Sequence, residues 1–286
     1  MDDISQDPRV ARIIRNALDE DIGTGDVTTL ALVDPAAQAT GAILTREPCR
    51  VAGATIAAAV LKAVDPAAEC TIRIPDGNDA PQGATILTFD GRAASILTAE
   101  RTALNFMQRL CGIATQTARF VEAVKDYHTL ILDTRKTTPG LRLLEKYAVR
   151  CGGGTNHRFG LYDRVLMKDN HRRLWRDGDP DRLDLAVEAA RAKFPGIMVE
   201  IEVENFDELR SALRAKPEWI MLDNMDCPSM AQAVQIVAGT SKLEASGGIT
   251  LERARAVAAT GVDAISLGCL THSVRSIDLS LEWETV

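Results

Sequence analysis

The second half of the chain repeats one structural unit, and this repeat limits the folds that the chain can adopt. The unit is a short apolar strand, a polar or glycine-bearing end, and a stretch with helical spacing. Strands that alternate with helices form a parallel sheet with right-handed crossovers. The carboxyl ends of the strands should therefore meet at one edge. The predicted strands cover 130–133, 165–168, 198–202, 219–223, 243–246 and 264–268.

Nearly every predicted strand ends in a residue that can do chemistry, and this distinguishes two kinds of parallel sheet. An open sheet gathers its ligand at one switch point, so few strand ends contribute to the site. A barrel brings all of its carboxyl ends to one mouth, which fits the pattern better. Six strands are fewer than the eight of a full barrel, so we expect an incomplete one. The polar or glycine residues at these strand ends are Arg135, Lys136, Lys168, Glu202, Asp223, Ser246, Gly247 and Gly268.

The first third of the chain follows a different pattern. Asp7 and Pro8 predict the start of a helix, because they are a capping residue and a proline suited to the first helical position. Short β-rich runs at 40–47 and 70–97 flank an alanine-rich helix at 53–64. This combination indicates an α+β domain with a mostly antiparallel sheet.

Two helices are predicted between these parts, at 98–110 and 113–126, divided near Gly112. We therefore expect an α/β protein with an α+β N-terminal domain and a barrel of about six parallel strands. The expected divisions are 1–108 for the N-terminal domain, 109–273 for the barrel, and 274–286 for a tail that packs back on the first domain.

The charge of the chain is unevenly distributed, which limits its partners. The net charge is −7, yet residues 135–173 contain ten Lys or Arg and only three acids. An acidic body argues against nucleic acid as a partner. A local cationic patch suits a small anionic ligand with several charges, and a solvated basic face is the alternative.

The chain shows no signal for a membrane or for secretion. No apolar run approaches the roughly 20 residues of a membrane span, and residues 1–9 are polar and acidic, unlike a signal peptide. The six cysteines are scattered without a C-x-x-C pair, as is typical of reduced thiols. We expect a cytoplasmic protein without a membrane partner or a structural zinc.

Cations follow the first predicted strands. Arg135 offers a planar fork for a carboxylate, and Lys136 a point charge for a phosphate. A glycine-rich loop precedes His157 and Arg158, and Lys168 closes the next strand. Arg158 and Lys168 are predicted to hold a second carboxylate, and His157 a carboxylate or a phosphate. The alternatives are pairing of the cations with nearby acids and a structural role for the histidine.

Two acids, Glu202 and Asp223, end strands inside this cationic mouth. Carboxylates at strand ends can hold Mg²⁺ while ligand phosphates complete its coordination, and the metal stabilises a pyrophosphate leaving group. The sequence therefore predicts a magnesium site, with pairing of each acid to a lysine as the alternative. Glu200 and Glu244 are supporting candidates near the same ends.

Glycine turns follow two late strands. Ser246, Gly247 and Gly248 follow one strand, and Gly268 follows the next. Such turns supply backbone N–H donors for a terminal phosphate, although ordinary loop glycines are the alternative. Arg101 lies apart from this cluster, and its sequence context alone indicates an exposed helix arginine.

Together these segments resemble the quinolinate phosphoribosyltransferases, also called carboxylating nicotinate-nucleotide pyrophosphorylases. The resemblance spans nearly the whole chain, without a departure at a motif position. It rests on GDVTT at 25–29, LTAERTALNFMQRLCGIAT at 97–115, DTRKTTPGLR at 133–142, EKYAVRCGGGTNHRFGLYDRVLMKDNH at 145–171, EIEVEN at 200–205, IMLDN at 220–224, EASGGI at 244–249 and SLGCLTHS at 266–273.

The resemblance implies an enzyme of NAD biosynthesis that transfers phosphoribosyl from 5-phosphoribosyl pyrophosphate (PRPP) to quinolinate, with loss of CO₂. It implies an N-terminal open sandwich, an incomplete α/β barrel, Mg²⁺, and a homodimer, with a hexamer as the alternative. The implied quinolinate residues are Arg101 from the neighbouring subunit, Arg135, His157, Arg158 and Lys168. The implied residues of the PRPP and magnesium end are Lys136, Glu202, Asp223, Ser246, Gly247, Gly248, Gly268 and His272.

Three alternatives remain open at this point. A related group associated with molybdenum transport shares much of this sequence and uses another substrate. A barrel lyase or aldolase would use Lys168 as a Schiff base but leaves the strand-end acids unexplained. A biotinyl or lipoyl carrier would need a lysine at a hairpin tip, and residues 74–91 contain none.

Overall fold

The computed structural model describes residues 3–175 and 182–283. A short 3₁₀ turn at Ile4–Gln6 precedes the first helix. The strands are β1 (Gln38–Thr45), β2 (Cys49–Arg50), β3 (Glu69–Ile72), β4 (Asp79–Ala80), β5 (Thr85–Arg92), β6 (Leu130–Leu132), β7 (Val165–Met167), β8 (Val199–Val203), β9 (Trp219–Asp223), β10 (Lys242–Ser246), β11 (Ala264–Ser266) and β12 (Leu279–Trp283). The helices are α1 (Pro8–Ile22), α2 (Val27–Leu32), α3 (Ala54–Val64), α4 (Ala93–Ala123), α5 (Arg142–Cys151), α6 (Asp169–Arg173), α7 (Leu183–Lys193), α8 (Phe206–Ala215), α9 (Cys227–Val237), α10 (Leu251–Ala258) and α11 (Cys269–His272). Within these ranges no helix has the length of apolar sequence that a bilayer span requires.

The chain forms two compact units that are each discontinuous in sequence. The first, here the sandwich unit, comprises Met1–Ala118, Thr137–Gly153 and Cys269–Val286. The second, here the barrel unit, comprises Arg119–Lys136 and Gly154–Gly268. The domain boundaries expected from the sequence stay a prediction, and residues 284–286 of the expected tail lie outside the described residues.

The sandwich unit is built on an antiparallel sheet with strand order β12-β1-β5-β3. The C-terminal strand β12 pairs with β1, so both ends of the chain contribute to this sheet. Helix α1 begins as predicted, because the Asp7 carboxylate accepts a hydrogen bond from the backbone N–H of Arg9 and Pro8 occupies the first turn. The predicted alanine-rich helix is α3, within one residue of its expected start.

The prediction of two helices divided near Gly112 is wrong, because α4 is one continuous helix of 31 residues. A Cβ atom at Gly112 would lie 2.3 Å from the carbonyl oxygen of Arg275. The glycine therefore permits close approach of the C-terminal segment rather than ending the helix. A helix glycine costs roughly 1 kcal/mol relative to alanine, which the packing of so long a helix tolerates.

The barrel unit contains six parallel strands in the order β6-β11-β10-β9-β8-β7. Strands β7 to β11 are neighbours in sequence order, and β6 pairs with β11 at the far end of this run. The order is therefore circular and has no point at which it reverses, as in a barrel. Strands β6 and β7 lie at the two ends of the sheet, so the barrel is open between them. The prediction of an incomplete barrel of about six strands is confirmed, with every strand within two residues of its expected bounds.

Alternation along β8 separates core residues from residues available to a site. Val199, Ile201 and Val203 are fully buried on one face of the strand. Glu200 and Glu202 lie on the opposite face, because successive side chains of a strand alternate. A carboxylate on this face is costly to bury without partners, so these two acids require cations or hydrogen-bond donors nearby.

Candidate active site

A cavity of about 620 Å³ opens at the carboxyl ends of the barrel strands. It combines four cationic side chains with acids and a glycine turn, as the sequence predicts for an anion site. All of its lining residues belong to the barrel unit. The predicted site residues that line it are Arg135, Lys136, His157, Arg158, Lys168, Glu202, Asp223, Ser246, Gly247 and Gly248.

Three predicted site residues are not among those that line this cavity. Arg101 is exposed on α4. Gly268 lies two residues after the last barrel strand and directly precedes α11. His272 ends α11, where its Nδ1 lies 2.6 Å from the hydroxyl of Ser273. The roles that the resemblance implies for these three residues stay predictions.

Strand pairing sets the residues of the cavity side by side. Asp223 at the end of β9 is paired in register with Ser246 at the end of β10. Glu202 on β8 is paired with Met221, two residues before Asp223 on the same face. Paired residues of neighbouring strands present their side chains on the same face of a sheet. Hence the two acids and the serine border one mouth.

Lys168 and Glu202 form an ion pair across this mouth. The lysine side chain is 42% exposed and the glutamate side chain 11% exposed. The alternative expected from the sequence, pairing of an acid with a site lysine, therefore applies to Glu202. The lysine end of the pair is open to solvent, so an anionic ligand can reach the ammonium and compete with Glu202 for it. Asp223 instead accepts a hydrogen bond of 2.8 Å from the amide of Asn224.

The positive charges of Arg135 and Arg158 repel each other in the cavity. Burial lowers the pKa of the Arg158 guanidinium, and the positive charge of Arg135 lowers it further. Like charges held together in this way favour a bound anion, because an anion offsets their repulsion. One amino group of Arg158 donates to the carbonyl oxygen of Arg164 at 3.2 Å, which fixes the direction of its side chain.

His157 is buried, and both of its ring nitrogens already have partners. Its Nε2 lies 3.1 Å from Glu200 and 3.4 Å from Glu244. The backbone N–H of Arg158 donates to Nδ1 at 2.7 Å. Burial lowers the pKa of His157, but the two carboxylates outweigh it and raise that pKa to about 9. The carboxylates thus favour a charged ring, whereas the short hydrogen bond from the N–H of Arg158 requires an unprotonated Nδ1. This direct contact decides between them, and we assign the neutral Nε2–H tautomer.

The acids beneath His157 form a buried cluster. Glu200 and Glu244 are both fully buried, and Glu200 also pairs with Arg164 at 3.2 Å. Burial raises the pKa of Glu244, and the charge of Glu200 raises it further. Donor atoms of His157, Glu200 and Glu244 lie within 4.8 Å of one another. The arrangement could hold a metal ion, but the guanidinium of Arg164 already supplies a cation there.

The glycine turn after β10 is required by its surroundings. Gly247 has a φ of 94°, and a Cβ atom there would lie 2.1 Å from the side-chain oxygen of Asn224. Only glycine fits this close approach. The turn leaves backbone N–H groups near the cavity, as expected for a phosphate site.

Sequence reasoning missed several polar residues in and beside this cavity, among them Asn224, Ser266 and Arg164. Asn224 follows Asp223 in the IMLDN motif, and Ser266 lines the cavity with it. Arg164 precedes β7 and pairs with the buried Glu200. The available signal for Arg164 was the buried acid itself, because a glutamate on the inner face of a strand requires a cationic partner.

Comparison with known proteins gives consistent results. The chain matches the model of the quinolinate phosphoribosyl transferase N-terminal domain over residues 26–111 and that of the C-terminal domain over residues 113–282. It is 44% identical to nicotinate-nucleotide pyrophosphorylase (carboxylating) of Mycobacterium leprae, over 94% of this chain and 95% of the relative. It is 39% identical to quinolinate phosphoribosyltransferase (decarboxylating) 1b of Nicotiana tabacum, over 96% of this chain and 82% of the relative. The solved nicotinate-nucleotide pyrophosphorylase from Francisella tularensis superposes with a TM-score of 0.92 at 43% identity, covering 99% of this chain and all of that one.

Proposed function

The chain belongs to the quinolinate phosphoribosyltransferase family, and from this premise we propose that it converts quinolinate and PRPP to nicotinate mononucleotide, pyrophosphate and CO₂. It is a decarboxylating pentosyltransferase of NAD biosynthesis. The observation that carries the assignment is the convergence of four cations, two strand-end acids and a glycine turn on one cavity. A dicarboxylate and a sugar that carries a phosphate and a pyrophosphate together need this combination of charges.

The quinolinate end is assigned to the arginines of the cavity. Arg135 and Arg158 hold the carboxylates, and their mutual repulsion in the free enzyme is relieved by the dianion. The pyridine nitrogen is itself the nucleophile, so no general base is required. The cations must therefore bind the carboxylates and leave the ring lone pair free. Lys168 joins them once the ligand has displaced Glu202 from its ion pair.

The PRPP end is assigned to Lys136, the acids and the glycine turn. Glu202 and Asp223 offer only oxygen donors at neighbouring strand ends, a donor set that suits Mg²⁺. These two residues would hold the ion, and when bound it would offset negative charge on the pyrophosphate. The exposed ammonium of Lys136 meets a phosphate as a point charge.

The reaction then proceeds in two steps. The bond between the anomeric carbon and the pyrophosphate oxygen breaks while the ring nitrogen forms the new bond to that carbon. Holding both substrates in line can lower the activation free energy by roughly 7 to 11 kcal/mol. The alkylated nitrogen is cationic, so it stabilises the electron pair that stays on C2 when CO₂ departs. C2 then takes up a proton.

The direct test incubates the enzyme with quinolinate and PRPP, with and without Mg²⁺, and measures CO₂ and nicotinate mononucleotide. A panel of other pyridine acids separates this activity from that of the molybdenum-associated group. Activity toward a different acid alone would contradict the proposed substrate. Trapping with borohydride and a carbonyl substrate tests the aldolase alternative, which the ion pair of Lys168 already disfavours because a Schiff base needs a neutral amine.

We further propose that the enzyme is a cytosolic homodimer in which Arg101 serves the site of the neighbouring subunit. All six cysteines are free thiols, which supports a reducing compartment. The exposed position of Arg101 leaves its side chain available to another chain. Its guanidinium would add a further cation to the quinolinate end.

Subunit mixing tests this assignment of Arg101. Arg101→Ala and Arg158→Ala homodimers should each be nearly inactive. A heterodimer of the two variants has one site with both arginines intact, so a statistical mixture should regain about a quarter of wild-type activity. The measurement is the specific activity of the co-expressed variants. If Arg101 serves its own chain, mixing restores nothing.

A further inference from the structure

Arg164 lies against both His157 and Arg158, which line the cavity, although Arg164 itself does not line it. Its carbonyl oxygen accepts a hydrogen bond of 3.2 Å from the guanidinium of Arg158. Its own guanidinium lies 3.4 Å from Nε2 of His157. One residue therefore contacts Arg158 through its backbone and is linked to His157 through the Glu200 oxygen that both side chains share.

Arg164 is itself held firmly in place. Its side chain is only 10% exposed and pairs with the fully buried Glu200 at 3.2 Å. The centre of its guanidinium lies 5.5 Å from the ring centroid of Trp219. A buried ion pair and a cation–π contact from another strand restrict the guanidinium to one position. Glu200 in turn lies 3.1 Å from His157, which closes the network.

The cluster of His157, Glu200 and Glu244 has the donor spacing of a metal site. An ion pair with Arg164 explains the buried acids better than a metal ion does. The guanidinium of Arg164 is at hydrogen-bond distance from the same Glu200 oxygen that faces His157. A bound divalent ion would be placed against this permanent cation and repelled by it. Arg164 therefore already provides the positive charge that the buried acids require.

We propose that Arg164 is a positioning residue of the quinolinate end: it holds Arg158 in place for the dicarboxylate and, through Glu200, keeps the buried ring of His157 fixed beside it. The proposal rests on the proposed function for the identity of the ligand. Displacing a binding group by about 1 Å can reduce the rate about a hundredfold. Losing the guanidinium keeps the carbonyl that Arg158 contacts but removes the anchor, Glu200 and Trp219, that holds this carbonyl in place. The groups assigned to PRPP are not among the contacts that the described residues make with Arg164. The effect of its loss should therefore fall on one substrate.

The test compares Arg164→Met and Arg164→Lys with the wild type, measuring the Kd of each substrate by calorimetry and both KM values. We expect Arg164→Met to raise the Kd and KM for quinolinate by at least about tenfold and those for PRPP by less than about threefold. Arg164→Lys keeps the charge opposite Glu200 and should lie between the two. Arg191→Met controls for the loss of an arginine–glutamate pair as such, because Arg191 pairs with a glutamate of the barrel unit, Glu218, outside the cavity and at a more exposed position.

Binding and turnover together separate the outcomes. Equal weakening of both substrates, or unchanged affinity for quinolinate, would overturn the role of Arg164. Wild-type enzyme that binds quinolinate without releasing CO₂ would contradict the proposed function, while the binding comparison still decides on Arg164. If Arg164→Met does not fold, Trp219→Leu loosens the guanidinium from its other side and should produce the same selective loss for quinolinate.

Discussion

Replacing Arg158 with alanine should raise the KM for quinolinate about a hundredfold and leave the KM for PRPP within about threefold. Hydrogen bonds to charged groups contribute roughly 1.5 to 3 kcal/mol each, and a guanidinium fork makes two with a carboxylate. The loss should be selective because the cation is assigned to the dicarboxylate alone. Steady-state kinetics with each substrate varied in turn provide the measurement.

The stability of the Arg158→Ala variant gives a second readout. Burial and the charge of Arg135 both lower the pKa of Arg158, so its charge is strained in the free enzyme. Removing it should leave the melting temperature unchanged or raise it, as is common for groups kept for function. Arg172→Ala is the control, since Arg172 is comparably covered and pairs with Glu208 outside the cavity. A quinolinate KM that does not change on removal of Arg158 would exclude it from the site.

The sequence was most informative where local pattern and site coincide. Successive side chains of a strand point to opposite faces of the sheet, so a polar residue at the end of a strand lies on a defined face and at a defined edge. This is why residues from separate strands, such as Lys168, Glu202 and Ser246, could be predicted to line one cavity, as they do. The parallel sheet followed from the same repeat, because strands that alternate with helices are joined by right-handed crossovers.

Features that depend on tertiary neighbours could not be predicted in this way. Gly112 has the local signature of a helix break, and only the position of Arg275 explains why α4 continues through it. The motif around His157 indicates a ligand contact, yet its ring nitrogens are engaged by Glu200, Glu244 and a backbone N–H. The two glutamates come from distant strands, and periodicity carries no information on such pairings.

The largest effect at the PRPP end is expected for Asp223→Asn. The change removes one negative charge and nearly preserves the shape of the side chain, including an oxygen that can accept from Asn224 as Asp223 does. If Asp223 holds Mg²⁺, turnover at saturating substrates should fall about a hundredfold or more, because a bound ion contributes several kcal/mol at a pyrophosphate. The Mg²⁺ concentration for half-maximal activity should also rise, while the Kd for quinolinate without PRPP stays unchanged.

A matched control lies three residues along the same loop. Asp226 caps helix α9 by accepting from the backbone N–H of Ser229, and asparagine caps helices about as well as aspartate. Asp226→Asn therefore removes the same charge near the same strand end and should leave the magnesium dependence of turnover as it is. Equal losses in both variants would mean that general electrostatics, not ion binding, set the rate. An unchanged magnesium titration for Asp223→Asn would remove this carboxylate from the metal site and leave Glu202 as the sole protein ligand in the proposal.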